Sequence, residues 1–392
     1  MSKILRSKLY IIYAIAALLY VTLLWSIPTK TSTNELNEPN DSLIVANTTL
    51  LIEKLKKKPT SLIEWKQSHY ITRYLNGDKK VIIYIIGGNW YPNEDFKRLT
   101  YKHDETLEYC DIPCIWKQGS LESLSSTELE SIDGLFNVDF TYAPEKKAWK
   151  GQRLIKLTLE SPSQCQHCHY SDESFDIYSS YDEDSDVPTS YIRTDPEIFR
   201  SVQPFNVSKL SQNSTLISFI ASHSTDFRST FVPSLQNHMP VASFGSVLKN
   251  SRWELYPECL NLWKFDTKNC VISNYPFYLS IENCQEKDYS TEKLWDVFQL
   301  GIIPVIWGDP NVRSYLPHPK SAILIDDFPD AESLANHLKY LASNETAYLE
   351  YHEWRTMKFS DKFEEKAYMS MRNMECNICK EVARLRILDG LV

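Results

Sequence analysis

The apolar positions of this chain fall into three kinds of run. The longest, Leu9–Ile27 (LYIIYAIAALLYVTLLWSI), carries no charge over nineteen residues, close to the length a helix needs to cross a bilayer. Others are short, rich in β-branched residues and bounded by polar turns, the pattern of buried strands. One starts after Lys80 (VIIYIIGG), and others follow at Leu154–Leu159 (within RLIKLTLE), Leu216–Ala221, 277–283 (FYLSIEN), 302–308 (IIPVIWG) and 322–326 (AILID). The third kind repeats with helical spacing, at Thr291–Leu300 and Asp330–Ala342. Strands alternating with helices predict an α/β fold with parallel sheets and ligands at strand C-termini. A similar unit precedes residue 200, so two such units are expected to face each other across a cleft. A Ser/Asp/Tyr-rich stretch, 161–205, reads as the segment leading from the Leu154–Leu159 strand to the next.

The same pattern divides the chain. Lys3, Arg6 and Lys8 precede the first apolar run, with no acidic residue among the first eight, so 1–8 read as a cytoplasmic tail and 9–27 as a transmembrane signal-anchor helix. A cleaved signal peptide needs a shorter apolar stretch and small residues at the cut, for which Trp25-Ser26-Ile27-Pro28 is a poor candidate. Residues 28–78, polar and with the basic run Lys56-Lys57-Lys58, read as a stem. The remainder divides into an N-terminal domain, 79–205, and a C-terminal domain, 206–392.

Composition narrows the function. A hydrophobic share of 43% and an aromatic share of 12% exclude a largely disordered chain. Forty-two basic against 51 acidic residues leave a net charge of −9, which argues against a nucleic-acid partner. Only 10 glycines occur, with neither a GxGxxG nor a GxxxxGK[ST] motif, so a nucleotide would be held by side chains and helix N-termini. Nine cysteines fall mostly into close pairs: Cys110/Cys114, Cys165/Cys168, Cys259/Cys270 and Cys376/Cys379, with Cys284 left over. In an oxidising compartment these read as disulfides whose connectivity the sequence leaves open. Sequons at Asn40, Asn47, Asn206, Asn213 and Asn344 agree with a lumenal body.

Three segments carry a family resemblance. From Tyr275 the chain reads YPFYLSIENCQEKDYSTEKLWDVFQLGIIPVIWGDPNVRSYLPHPKSAILIDDF. This resembles the donor-binding signature of the α1,3-fucosyltransferases: YKFYLAFEN, a short gap, DYxTEKLW, PVVxG and a downstream DDF. GQRLIKLTLESPS (151–163) resembles that family's GQRWVWMNFESPS, and SSYDEDSDVP (179–188) its LSYRxDSDxxxP. The Cys376-x-x-Cys379 ending also fits, and the resemblance covers about residues 150–380.

The resemblance implies a type II Golgi membrane enzyme with two Rossmann-like domains in the GT-B arrangement. It further implies inverting transfer of fucose from GDP-fucose to a GlcNAc-containing glycan, with no metal required and a divalent ion at most stimulatory. Direct inversion needs one general base on the acceptor hydroxyl and cations at the departing diphosphate. Glu160, delivered at a strand end before a Ser-Pro turn, matches the Glu of FESPS and is the expected base. Lys293 opens a predicted helix beside Ser290, Thr291 and Glu292, where backbone N–H groups attract anions and a lysine can face a diphosphate. By resemblance Glu292 binds ribose hydroxyls, Tyr289 and Asn283 contact the nucleotide sugar, and Arg228 binds the pyrophosphate.

Two other clusters invite metal readings. Asp182-Glu183-Asp184-Ser185-Asp186 contains DxD patterns compatible with a magnesium or manganese ion, but it falls on the family's DSD element and reads as an acceptor-side or structural loop. Cys165-Gln-His-Cys168-His169 is too compact to wrap a tetrahedral zinc and reads as a disulfide loop. Four positions depart from the family pattern: Asp182 replaces a basic residue, Pro276 a lysine, Leu159 an aromatic, and Val247 stands where many members have Cys. The first reverses charge near the expected acceptor cleft, so acceptor preference does not carry over. Rival readings keep the fold with another acceptor, such as a protein side chain, or keep nucleotide binding without catalysis.

Overall fold

A computed structural model of the chain describes residues 80–86, 110, 112–138, 147–163, 174–262 and 264–390, all within one compact unit, Leu55–Val392. The expected anchor Leu9–Ile27, the stem, Asn40, Asn47 and the Cys165–His169 cluster lie outside the described residues. Among the described residues no helix is long and apolar enough to cross a membrane.

Two all-parallel sheets form the body. The first contains β1 (Val81–Ile85), β2 (Cys114–Gln118), β3 (Gly134–Val138), β4 (Arg153–Thr158), β5 (Ile177–Ser180) and β6 (Val187–Pro188), in the order β2-β1-β3-β4-β5-β6. The second contains β7 (Ile217–Phe219), β8 (Val241–Ser243), β9 (Phe277–Ile281), β10 (Ile303–Trp307) and β11 (Ile323–Leu324), in the order β11-β10-β9-β7-β8. Counted along the chain, both sheets share one winding: the second strand lies outside the first, and the third crosses to the other side. Each therefore has a switch point, between β1 and β3 and between β7 and β9, where strand C-termini open a crevice.

Burial explains why these segments are strands. All five residues of β9 are buried, and β4 is buried after its first residue; strands covered on both faces by helices lose polar alternation. Helices Asp226–Gln236 and Ala331–Ser343 cover one face of the second sheet through Val232, Leu235, Leu334 and Leu338. A second cluster joins Leu294, Trp295, Phe298, Tyr315 and Phe363 to Ile192 and Phe199, from the segment that leaves the first sheet. The final helix, Met374–Leu388, returns to the first sheet, where Cys376 and Cys379 bond to Cys110 and Cys114.

Two expectations change. The 161–205 stretch is not merely a lead-in, since it supplies β5 and β6. Their polar residues are buried but satisfied: Ser179 and Ser180 are 0% exposed, and Ser179 Oγ lies 2.8 Å from Thr189 Oγ1. The helical spacing of Thr291–Leu300 becomes a single α-turn, Glu292–Trp295, followed by a 3₁₀ turn, Val297–Gln299. Cysteines near in sequence pair as Cys259–Cys270, whereas Cys110/Cys114 and Cys376/Cys379 cross-link the first sheet to the final helix instead of closing locally.

Candidate active site

The switch point of the second sheet and the C-terminal end of β4 meet at one place. β4 runs out into Leu159 and Glu160, and Glu160 is left partly exposed between buried Leu159 and buried Ser161. From the other sheet the 284–291 loop presents Tyr289, whose hydroxyl donates to Glu160 Oε2 at 3.3 Å. Tyr289 is 2% exposed and packs edge-on against Tyr181 at 4.8 Å and Tyr191 at 6.3 Å. The Tyr191 hydroxyl donates to the backbone carbonyl of Leu159 and so fixes the residue before Glu160. Burial, with Glu282 and Glu160 adding to it, pushes the Tyr289 phenol far above its ordinary range. The same holds for Tyr191, raised by burial, Tyr289 and Glu160. Both phenols therefore remain protonated donors, and Tyr289 engages Oε2 of Glu160, while among the described residues no hydrogen bond reaches Oε1.

Arg228 occupies the switch point itself. Thr225 caps the helix Asp226–Gln236 by accepting from Arg228 N–H, and the helix begins just beyond the end of β7. The guanidinium, 2% exposed overall, donates to the carbonyls of His223 at 2.8 Å and Ile281 at 2.7 Å. Among the described residues no carboxylate forms an ion pair with it, and its buried Nε has no partner. Burial lowers its pKa, with Glu282 opposing. The guanidinium is thus a buried cation braced by two carbonyl dipoles, with the Glu282 carboxylate acting on it at longer range; burying a charge without such partners is costly.

Lys293 reaches the same region differently from expectation. The anticipated anion hold of the helix start is already used: Glu282, 3% exposed, accepts from Thr291 N–H at 2.8 Å and Thr291 Oγ1 at 2.9 Å. With a protein carboxylate on that amide and only one helical turn behind it, the side chain of Lys293 carries the positive charge. Its Nζ lies 3.1 Å from Glu282, 3.5 Å from Glu292 and 2.9 Å from Thr291 Oγ1. Burial pulls the ammonium down, but Glu282 and Glu292 more than offset this, so it stays charged. Burial likewise pushes Glu292 up, and Lys293, Lys268 and Arg193 overcome it to hold the carboxyl at about 2.

Asn283 follows Glu282 at the end of β9, and among the described residues its buried Oδ1 has no hydrogen-bond partner. Next to it Cys284 is a free, half-buried thiol whose Sγ lies 3.0 Å from Ser161 Oγ, a second contact between the two sheets' loops. The six expected site residues thus converge, with Glu160 from the first sheet and Arg228, Asn283, Tyr289, Glu292 and Lys293 from the second. Sequence reasoning missed Glu282, Tyr181 and Tyr191. Glu282 stood inside the quoted IEN element and Tyr181 inside the quoted SSYDEDSDVP element, whereas Tyr191 is one tyrosine among 23 and lies on no quoted motif.

The acidic 182–186 loop meets lysines of the facing side. Asp184 pairs with Lys287 at 2.8 Å, Glu183 with Lys366 at 3.3 Å, and Asp186 accepts from Tyr178 N–H at 2.9 Å. The Asp184–Lys287 pair ties the first sheet to the loop bearing Tyr289, Glu183 ties it to the helix Asp361–Tyr368, and Asp186 braces β5 within the sheet itself. Among the described residues no group of three His, Cys, Asp or Glu could hold a metal ion.

Comparison with known proteins places this arrangement. Residues 209–388 match the glycosyltransferase family 10 (fucosyltransferase) C-terminal domain. An α-(1,4)-fucosyltransferase of Arabidopsis thaliana is 27% identical over 317 residues, covering 78% of this chain and 73% of the plant protein. A 4-galactosyl-N-acetylglucosaminide 3-α-L-fucosyltransferase of Pan troglodytes is 33% identical over 217 residues, 54% of this chain, and the chain spans only 56% of that protein. A GDP-fucose protein O-fucosyltransferase 3 of Danio rerio is 36% identical over 130 residues, covering 33% of this chain and 28% of the fish protein. Crystal structures of an α1,3-fucosyltransferase, without and with GDP, share the fold at TM-score 0.50. They are 20% and 18% identical, and cover 78% and 80% of this chain and 91% and 96% of theirs.

Proposed function

We propose that the chain is a fucosyltransferase of glycosyltransferase family 10, whose C-terminal domain residues 209–388 match, and that it moves fucose from GDP-fucose to a GlcNAc-containing glycan with inversion at the anomeric carbon. The observation that carries this reading is the contact between Glu160, from one sheet, and Tyr289, from the switch-point loop of the other. In the proposed step an acceptor hydroxyl attacks the anomeric carbon from the face opposite the diphosphate. Glu160 takes the hydroxyl proton at Oε1, with Oε2 held by Tyr289. The bond to the phosphate oxygen breaks, and GDP departs with its electron pair. Arg228 and Lys293 offset the charge that grows on the leaving diphosphate, a task that preorganised cations perform in place. Asn283 and Glu292 hold the nucleotide sugar and its ribose.

Relatives support the parts of this reading. One solved α1,3-fucosyltransferase of the same fold binds GDP, and the ape relative acts on an N-acetylglucosaminide. The apolar run Leu9–Ile27 and three disulfides support a type II Golgi membrane protein, with two Rossmann-like domains in the lumen. A second reading keeps the donor and changes the acceptor to a protein side chain. The match to the protein O-fucosyltransferase favours it.

The test is GDP release by the detergent-solubilised full chain, given GDP-fucose and a panel of glycan and folded-protein acceptors, with and without EDTA. Acceptor-dependent release that survives EDTA, and falls by about 10³-fold in Glu160→Gln, is expected. Undiminished turnover in that variant removes Glu160 as the base, and release only with protein acceptors selects the second reading.

A further inference from the structure

The loop bearing Tyr289 is held from behind by a carboxylate that the proposed chemistry does not use. β10 ends at Trp307, and Gly308 follows with φ 138°, where a Cβ would lie 2.6 Å from the Cβ of Glu282. Glycine lets the strand end pass against Glu282 and turn Asp309 inward, to 4% exposure. Asp309 Oδ1 accepts from the N–H groups of Asn311 at 2.8 Å and Asp288 at 3.0 Å, and Oδ2 accepts from Ser290 Oγ at 3.1 Å. Ser290 Oγ in turn lies 2.9 Å from the Tyr315 hydroxyl. Asp288, left-handed at φ 63°, is gripped by Asn311 Nδ2 at 2.7 Å. Glu282 pins Thr291 while Asp309 pins residues 288 and 290. Tyr289 lies between these anchors and reaches out to Glu160.

We propose that Asp309 is a positioning residue that presents Tyr289 to Glu160, and that it does so as the carboxylate. The proposal rests on the reading of Glu160 as base. Three donors converge on Asp309, which a carboxylate can accept together. Protonated at Oδ2 it becomes a donor and turns Ser290 Oγ toward Tyr315. The groups facing it are Asp288 and Lys287 on the loop, Tyr315 on the turn Val312–Tyr315, Lys366 on the helix Asp361–Tyr368, and Glu183 from the first sheet. Lys366 Nζ lies 4.0 Å from Asp288, 3.3 Å from Glu183 and 4.2 Å from the Tyr315 ring centre. Burial, aided by Asp288, outweighs the backbone bonds and Lys366, and brings the Asp309 carboxyl up to about 6. The positioning form is therefore populated at neutral pH and lost as pH falls through about 6.

The experiment measures kcat and KM for GDP-fucose between about pH 5 and 8 on the full chain and on Asp309→Asn. Asparagine retains an oxygen for the two N–H groups but cannot ionise. Wild type should lose about tenfold in kcat from pH 7 to 5, with KM moving less than about twofold. The variant should start about tenfold lower and lack that limb. A limb near pH 6 that persists in Asp309→Asn overturns the proposal, as does unchanged kcat. Thermal unfolding supplies a readout without turnover. The folded state keeps a proton that an unfolded aspartate loses near pH 4, so wild type should lose stability relative to Asp309→Asn as pH rises from about 4 to 6. A flat difference overturns the titration. Absence of turnover at every pH defeats the function itself, a result distinct from an altered profile.

Discussion

Tyr289 and Glu160, 129 residues apart, meet through one hydrogen bond of 3.3 Å that joins the donor-side loop to the end of β4. This places the expected base under the control of the element that would hold the donor. Loss of the phenolic hydroxyl isolates that link, because Tyr289→Phe keeps the ring against Tyr181 and Tyr191. A hydrogen bond to a charged group contributes about 1.5–3 kcal/mol, so kcat should fall about 10- to 100-fold. Steady-state GDP release checks this, and a kcat equal to wild type would show that the contact does not serve catalysis.

The two cations at the switch point predict a specific pattern of nucleotide affinity. Lys293→Met removes the ammonium shared by Glu282 and Glu292 and leaves more of their negative charge facing the ligand. Arg228→Lys loses the fork that spans the carbonyls of His223 and Ile281. Each change should weaken GDP binding by about tenfold or more, while guanosine, which lacks the diphosphate, should bind almost as before. Calorimetry with both ligands decides it, since equal losses for the two would place these residues away from the phosphates.

Much of this was legible in the sequence where chemistry and periodicity agreed. The apolar runs gave β1, β4, β9 and β10 nearly to the residue, because strands buried on both faces leave continuous hydrophobic stretches. β5 escaped because its buried residues include Ser179 and Ser180, which burial pattern alone reveals. β2 and β3 are five residues each and hold no comparable run. At the site, the residues named in advance lie on motifs, whereas Glu282 and Asp309 act through buried hydrogen bonds to backbone amides. Such roles depend on which loops lie opposite, and neither composition nor spacing records that. The crosswise pairing of Cys110 and Cys114 with Cys376 and Cys379 was hidden for the same reason.

That pairing makes the two bridges between the first sheet and the final helix non-additive. Cys110–Cys376 closes 266 residues of sequence and Cys114–Cys379 closes 265, so once one is formed the other closes only a small ring. By loop entropy, removing either bridge as a double alanine should cost about 2.5 kcal/mol, and removing both roughly 8 kcal/mol. Urea midpoints of the full chain and the three variants test it. Equal increments for the first and second bridge would show that the final helix is held to the first sheet without help from the cross-links.

Cys284 supplies the last prediction. Its thiol is half-buried between Asn283 and the 161–163 turn, 3.0 Å from Ser161 Oγ, and so stands where the two sheets' loops touch. Burial pushes its pKa up, more than contacts with Ser161 and Ser163 bring it down. Because only the thiolate attacks, reaction with N-ethylmaleimide should be slow at neutral pH and still accelerating at about pH 9. Once attached, the maleimide would wedge the loops apart and separate Tyr289 from Glu160. Labelling at Cys284 should therefore abolish GDP release, with GDP slowing the labelling. Cys284→Ser, which puts a hydroxyl in place of the thiol toward Ser161, should be active and resistant. Intact-mass spectra taken beside activity settle the matter: full modification at this residue with undiminished turnover would show that the space around Cys284 lies clear of the reacting groups.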